Sequence, residues 1–209
     1  MRYSKNNAFK VAITGMMLSL VLLFQFLERF MPFAKTYMRL NISLIFIIAT
    51  IYLAGFSWAI LLLILRFAIG PAVGTTGYDV VALWSHFVLF ISGLIFILIF
   101  LGFKLVFKSI KKDNIKIVLS LIMAVLISSL INTILNGVFY TPVYFWLYKL
   151  APDASIASAQ IAYKSAKLFF FGIPDYWSGI FAVYILGNLI KYMIISVLFV
   201  SISKVISRQ

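Results

Sequence analysis

Apolar residues in this chain gather in long unbroken runs and do not alternate with polar ones. Six runs stand out, at 9–31, 41–55, 57–70, 79–107, 116–140 and 176–204. A helix needs about 20 predominantly apolar residues to cross a bilayer, whereas a barrel strand would alternate. The pattern therefore predicts an all-α membrane protein: a six-transmembrane-helix bundle with a short third helix, forming a single domain over 1–209. That third helix is expected to end at Gly70-Pro71, where the breaker-rich GPAVGTTG connection begins. The opening stretch is basic and then apolar, as in a signal peptide, but its apolar part continues to Leu27 without a small-residue cleavage site. It reads as a retained first helix. The fifth helix is expected to stop at Thr141-Pro142. Within the 141–175 connection, DASIASAQIAYKSAK predicts a short surface helix with Asp153 as its N-cap.

Composition moves the solvent from water to lipid. Of 209 residues, 64% are hydrophobic and 11% charged, a proportion that a water-soluble domain of this size cannot bury. The absence of Cys excludes disulfides, thiolate nucleophiles and Cys-ligated metals, and one His with five acids makes a protein-only metal site improbable. The net charge of +13 is distributed in a way that gives orientation. Arg2, Lys5 and Lys10 precede the first run; Lys104, Lys108, Lys111, Lys112 and Lys116 separate the fourth and fifth; Lys204 and Arg208 follow the sixth. With six crossings these fall on one side, with Asp113 the single acid among them, and the positive-inside rule assigns that side to the cytoplasm. The expected topology is N-in/C-in in the plasma membrane, with the basic loops against anionic membrane lipid. Nucleic acid is disfavoured as a partner, because these residues flank apolar helices and build no soluble basic face.

Three polar constellations break the apolar runs. In the first helix Ala8, Ala12, Gly15 and Ser19 follow steps of four, three and four, forming one small-residue face. Such a face serves either ordinary packing within the bundle or docking of a separate membrane subunit. In the fifth, Asn132 and Asn136 share a face; a helix–helix hydrogen bond suits Asn132, and for Asn136 a ligand contact competes with it. Tyr140, Tyr144, Trp146 and Tyr148 then supply an interfacial aromatic belt or the wall of a pocket, of which the belt is the simpler. In the sixth, Asn188 and Lys191 are three apart and so lie on one face. An ammonium within a span is costly enough to demand a partner. Carboxylates are scarce, Glu28, Asp79 and Asp175 being those near helix ends outside the basic loop, which favours a polar ligand. Elsewhere Asp79 is expected to cap the fourth helix, Arg66 to snorkel or meet ligand, and His86 to pack. No Ser-His-Asp order, HExxH, Walker A or paired-carboxylate motif is present, and an enzyme is not expected.

Taken together, several segments resemble the vitamin-binding S component of energy-coupling factor (ECF) transporters, most closely the riboflavin-specific type. Ala8-x-x-x-Ala12, extended by Gly15 and Ser19, is similar to the family's subunit-docking motif. RLNIS at 39–43 resembles the L-D-F-S segment that opens helix two, and Gly55 with Arg66 eleven residues on resembles a glycine-to-lysine spacing. LNGVFYTPVY, from Leu135 to Tyr144, resembles the LN-x5-P-x-Y end of helix five, and Asn188 to Lys191 the N-x-x-K of helix six. The chain departs from the pattern at Asn41 and Leu44, where the family carries acids, and in a longer fifth loop that suits an added lid.

The resemblance implies a substrate-binding subunit without ATPase activity or a resident cofactor. It would take riboflavin from outside and work with a transmembrane coupling subunit and two cytoplasmic ATPase subunits. It further implies that Asn136, Asn188 and Lys191 bond the polar edge of the flavin, with Leu40 and Asn41 adding contacts at the start of helix two. S components for folate, thiamine or a pyridoxine-like ring, and a ligand-free structural membrane protein, are the alternatives.

Overall fold

The computed structural model describes residues 6–27, 30, 42–74 and 77–206, the last three without side chains. Among the described residues every regular element is helical. The helices are α1 (Asn7–Leu27), α2 (Leu44–Leu53), α3 (Phe56–Val73), α4 (Val80–Val106), α5 (Asp113–Leu135), α6 (Thr141–Leu147), α7 (Ile156–Ala166) and α8 (Tyr176–Ile206). Five stretches are long and apolar enough to cross a membrane: Asn7–Leu27, Phe56–Val73, Val80–Ser109, Asp113–Leu147 and Tyr176–Ser203.

The short element is α2, not the third helix. Its 10 residues rise about 15 Å, half a hydrocarbon core, whereas the 18 of α3 rise about 27 Å. Eight residues of α2 are buried, from Leu44 to Tyr52, so it is apolar on all sides because it stands inside the bundle against α1, α3 and α8. Gly55 allows the abrupt reversal into α3: its φ of 107° is open to glycine and costly for any other residue. Gly70-Pro71 does not end α3, which runs on to Val73. The Gly70 carbonyl, close to that end, accepts from Gln25 Nε2 at 2.7 Å and so ties α1 to α3.

Pro142 does not stop the span that begins with α5 either. A proline removes one backbone donor and crowds the carbonyl four residues back. The chain absorbs it by widening to a π turn over Asn136–Tyr140, after which α6 continues to Leu147 with the proline in its first turn. The wider turn disturbs the carbonyl pairing, and Tyr176 Oη donates to the Gly137 oxygen at 2.6 Å. Gly137 is required there: a Cβ would run into the Trp177 ring.

The main core gathers Ile47, Ile48, Leu62, Phe96, Phe100, Tyr192 and Phe199 from α2, α3, α4 and α8. At its lysine-rich end, Lys104 Nζ donates to Tyr52 Oη at 3.0 Å, and exposed Asp113 pairs with Lys116 at 2.8 Å. At the opposite end the 148–175 connection is folded. Ala159, Ala162, Tyr163 and Ala166 of α7 pack on Phe145, Phe170, Tyr176, Ile180 and Tyr184 in a second small core. The expected surface helix is thus buried along one face. Its N-cap is Ser155, which accepts from Ser158 N at 3.1 Å, while Asp153 accepts from Ser155 N at 2.8 Å and braces the cap. The Asp153 carboxyl is held below the usual carboxylate range by its side-chain bond to Ser155, and Asp175 likewise by the Ser178 backbone and hydroxyl. Asp79 caps α4 as expected, accepting from Val81 N at 3.1 Å.

Candidate ligand site

The polar residues of α4, α5 and α8 meet near mid-bundle. Ser128, Asn132 and Asn136 recur at intervals of four along α5 and its π turn, which puts them on one face, and all three are buried. Asn132 forms the junction. Its Oδ1 accepts from Ser92 Oγ of α4 at 2.7 Å; its Nδ2 donates to the Ser128 carbonyl at 2.8 Å and to Tyr192 Oη of α8 at 3.1 Å. Tyr192 Oη in turn donates to the Ser92 carbonyl at 3.2 Å, and its ring stacks on Phe96 at 4.7 Å. Three helices are therefore tied through one amide, a hydroxyl and a phenol. In an apolar surround such groups are stable only when bonded.

Asn188 and Lys191 sit beside this junction. Lys191 Nζ donates to Asn188 Oδ1 at 3.0 Å and lies 4.3 Å from the centroid of the Tyr192 ring, a cation–π distance. Asn188 is buried, and among the described residues its Nδ2 has no hydrogen-bond partner. Tyr140 Oη and Trp84 Nε1 are among the other buried groups in that condition, as is Ser128 Oγ on the site's own face. The Trp84 and Tyr140 rings meet edge-on at 6.2 Å, and Tyr140 is an electrostatic neighbour of Tyr192. A buried donor left unbonded costs on the order of 1–3 kcal/mol. An indole N–H and an amide N–H can only donate, so this region calls for an acceptor-rich partner.

The structure joins Asn188 to Lys191 directly. Asn136 lies on the facing helix and turns its Nδ2 back to the Asn132 carbonyl at 2.7 Å. Leu40 and Asn41 lie outside the described residues. The aromatic belt divides: Tyr140 is buried and Tyr144 donates to Ser85 Oγ at 2.9 Å, whereas Trp146 and Tyr148 are exposed. The first pair turns toward Trp84 and Ser85 of α4 and the second faces outward. The small-residue stripe is open, with Ala8, Ala12, Gly15 and Ser19 all exposed.

Ser92, Tyr192 and Trp84 were not anticipated. Ser92-Gly93 inside an apolar run, and a tyrosine next to Lys191, are the signals that mark two of them. Arg66 does not snorkel: it is 2% exposed and, with His86, Leu63, Phe67, Leu89 and Phe90, lines a narrow crevice between α3 and α4. His86 is buried, as a packing role requires, and its ring stands over Gly70, where a Cβ would lie 2.7 Å from Nδ1. Among the described residues no three His, Cys, Asp or Glu side chains group to hold a metal ion.

No protein-family profile matches the chain, and no solved structure does. A protein of Mycoplasma pneumoniae, named "Uncharacterized protein MG350.1 homolog", is 25% identical over 209 residues, spanning 96% of this chain and 88% of that one. A likeness at this level of identity carries no activity across.

Proposed function

We infer that this chain is the substrate-binding subunit of an ECF-type vitamin transporter, crossing the plasma membrane six times with both termini inside. It captures riboflavin at the outer half of the bundle and is not an enzyme. The observation that carries the reading is the Asn188–Lys191 pair, held within a membrane-capable helix with Asn188 Nδ2 buried and unbonded. Polar side chains in the middle of an apolar bundle are costly, so their presence is most simply accounted for by a ligand that uses them. Trp84 and Tyr140 add an aromatic wall and two further groups able to donate to the carbonyls and ring nitrogens of a flavin.

In this reading α2 is the sixth crossing, added to the five longer spans. The exposed stripe Ala8, Ala12, Gly15 and Ser19 receives a transmembrane coupling subunit. Two cytoplasmic ATPase subunits complete the transporter and reorient this chain so that the site opens inward. Drug-sized ligands occupy pockets of roughly 300 Å³ or more, so riboflavin enters only after the outer end loosens. We assign that loosening to the α7 cap, which packs over the α6–α8 end on its own small core.

Reconstitution in vesicles tests the assembly. Riboflavin uptake is expected only with the coupling subunit, both ATPases and ATP, and Gly15→Leu is expected to abolish co-purification while leaving vitamin binding intact. ATP hydrolysis by the chain alone, or unaltered assembly of Gly15→Leu, would contradict the reading. Competition by folate, thiamine or pyridoxine stronger than by riboflavin would move the assignment to another vitamin. A ligand-free structural protein would show no vitamin binding, and Lys191→Met would then cost only folding yield.

A further inference from the structure

The cap over the α6–α8 end exposes more apolar surface than an aqueous loop tolerates. Leu168 is 81% exposed, Phe171 72%, Ile161 72% and Phe169 61%. These values equal those of residues on the outer faces of the spans, such as Leu105 at 72% and Val197 at 65%. The exposed side chains are not by-products of a loosely packed loop. In the same segment Phe170 is fully buried, its ring 4.9 Å from Tyr163 and 6.4 Å from Phe145, so the turn is anchored from below.

The backbone is bent to hold this arrangement. Lys167–Phe170 form one 3-10 turn, and Phe171 follows with φ 59° in the left-handed region that a bulky side chain rarely adopts. Gly172, at φ 72°, completes the reversal, and its N–H donates to the Lys167 carbonyl at 2.9 Å. The effect is to bury Phe170 while turning Leu168, Phe169 and Phe171 outward.

We propose that this Lys167–Gly172 turn, with the outer face of α7, is a membrane-interface anchor that dips into the phospholipid surface beside the bundle. Three observations choose lipid as its occupant. The turn is tied to α8, whose first residue, Tyr176, follows Gly172 by four positions, so it lies next to the edge of a membrane-capable span. Exposed Trp146 and Tyr148 follow Phe145, whose ring meets Phe170 under the turn, and carry the amphipathic rings that favour headgroup depth. Lys149, Lys164 and Lys167 are exposed around it, placing ammonium groups where phosphates lie once the apolar side chains enter. Anchored in this way, the cap is held by lipid as well as by its own small core, and its opening depends on the surface it rests on. The proposal rests on the membrane reading of the spans and not on the identity of the ligand.

The chain has no cysteine, so single substitutions give clean labelling sites. Leu168→Cys and Phe171→Cys, each carrying an environment-sensitive fluorophore, are compared in phospholipid vesicles with Val197→Cys on a span and Ala154→Cys beside exposed Asp153. Quenchers are nitroxide lipids labelled at shallow or deep acyl positions, and aqueous iodide. The expected result is quenching at 168 and 171 by shallow nitroxide more than by deep, with protection from iodide. Val197 should respond to the deep label and Ala154 to iodide. Iodide access at 168 and 171 with no lipid quenching would overturn the proposal. Protection from both quenchers would also overturn it, in favour of a protein covering the patch. Failure of the Val197 control would refute the membrane reading itself, and so separates the two.

Discussion

Asn132 offers the sharpest energetic test, because a single side chain joins three helices. Asn132→Ala removes three hydrogen bonds, to Ser92 Oγ, the Ser128 carbonyl and Tyr192 Oη. In soluble proteins each would be assigned about 1 kcal/mol. Within a membrane the measured average is nearer 0.6 kcal/mol, since the dissociated helices also find partners. Three such bonds and the small void left in a fully packed site come to about 2–3 kcal/mol. Tyr192→Phe keeps the stack on Phe96 and loses two bonds, one received from Asn132 and one donated to the Ser92 carbonyl, for about 1 kcal/mol. The two residues share one bond, so the double variant should be milder than the sum by about 0.6 kcal/mol. The assay is reversible unfolding in mixed micelles, titrated with denaturing detergent and followed by tryptophan fluorescence. Additivity of the two substitutions within about 0.3 kcal/mol would refute the junction.

Other predictions follow from the cap and the π turn. Gly137→Ala should destabilise by about 1–3 kcal/mol, because the new methyl meets the Trp177 ring, and a neutral result in the same unfolding assay would contradict that packing. Tyr176→Phe should cost about 1–3 kcal/mol by leaving the Gly137 carbonyl without its phenol, with the loss reduced when the π turn is removed as well. Asp175 accepts from Ser178 N at 2.8 Å and from Ser178 Oγ at 2.9 Å, and its carboxyl therefore binds a proton less readily folded than unfolded. Its contribution is complete above the unfolded value of about 4 and is lost as pH falls through the lower folded value. Asp175→Asn should flatten the acid side of a thermal-stability profile, and an unchanged profile would remove the cap from the account.

The long spans were legible because apolar runs of that length have few other fates, Asp79 announced itself by local capping chemistry, and the α7 segment by its helix formers, although its cap is Ser155 and not Asp153. That Asn188 and Lys191 share a face was legible from a spacing of three, but the direct bond between them was not. What could not be read were effects decided by neighbours. The run over 41–55 looks like a crossing because α2 is apolar on every side, and that same property follows from burial among other helices. Thr141-Pro142 looks like a helix end, since the compensating π turn depends on Gly137 lying under Trp177 and on the Tyr176 phenol from another helix. The tyrosines after Asn136 share a composition, but which of them turn inward is set by Trp84 and Ser85 on α4. Ser92 and Tyr192 gain their roles from Asn132, 40 and 60 residues away in the chain.

The central claim is that the Asn188–Lys191 region binds a flavin. It is tested most directly by equilibrium titration of the detergent-purified protein with riboflavin, following flavin and tryptophan fluorescence together. Trp84, within the site, and Trp177, against Gly137, are placed to report. The account predicts saturable one-to-one quenching that is lost in both Asn188→Ala and Lys191→Ala while each variant retains its helical content. Absence of saturable quenching by the folded wild-type chain, or binding unaffected by both substitutions, would contradict it.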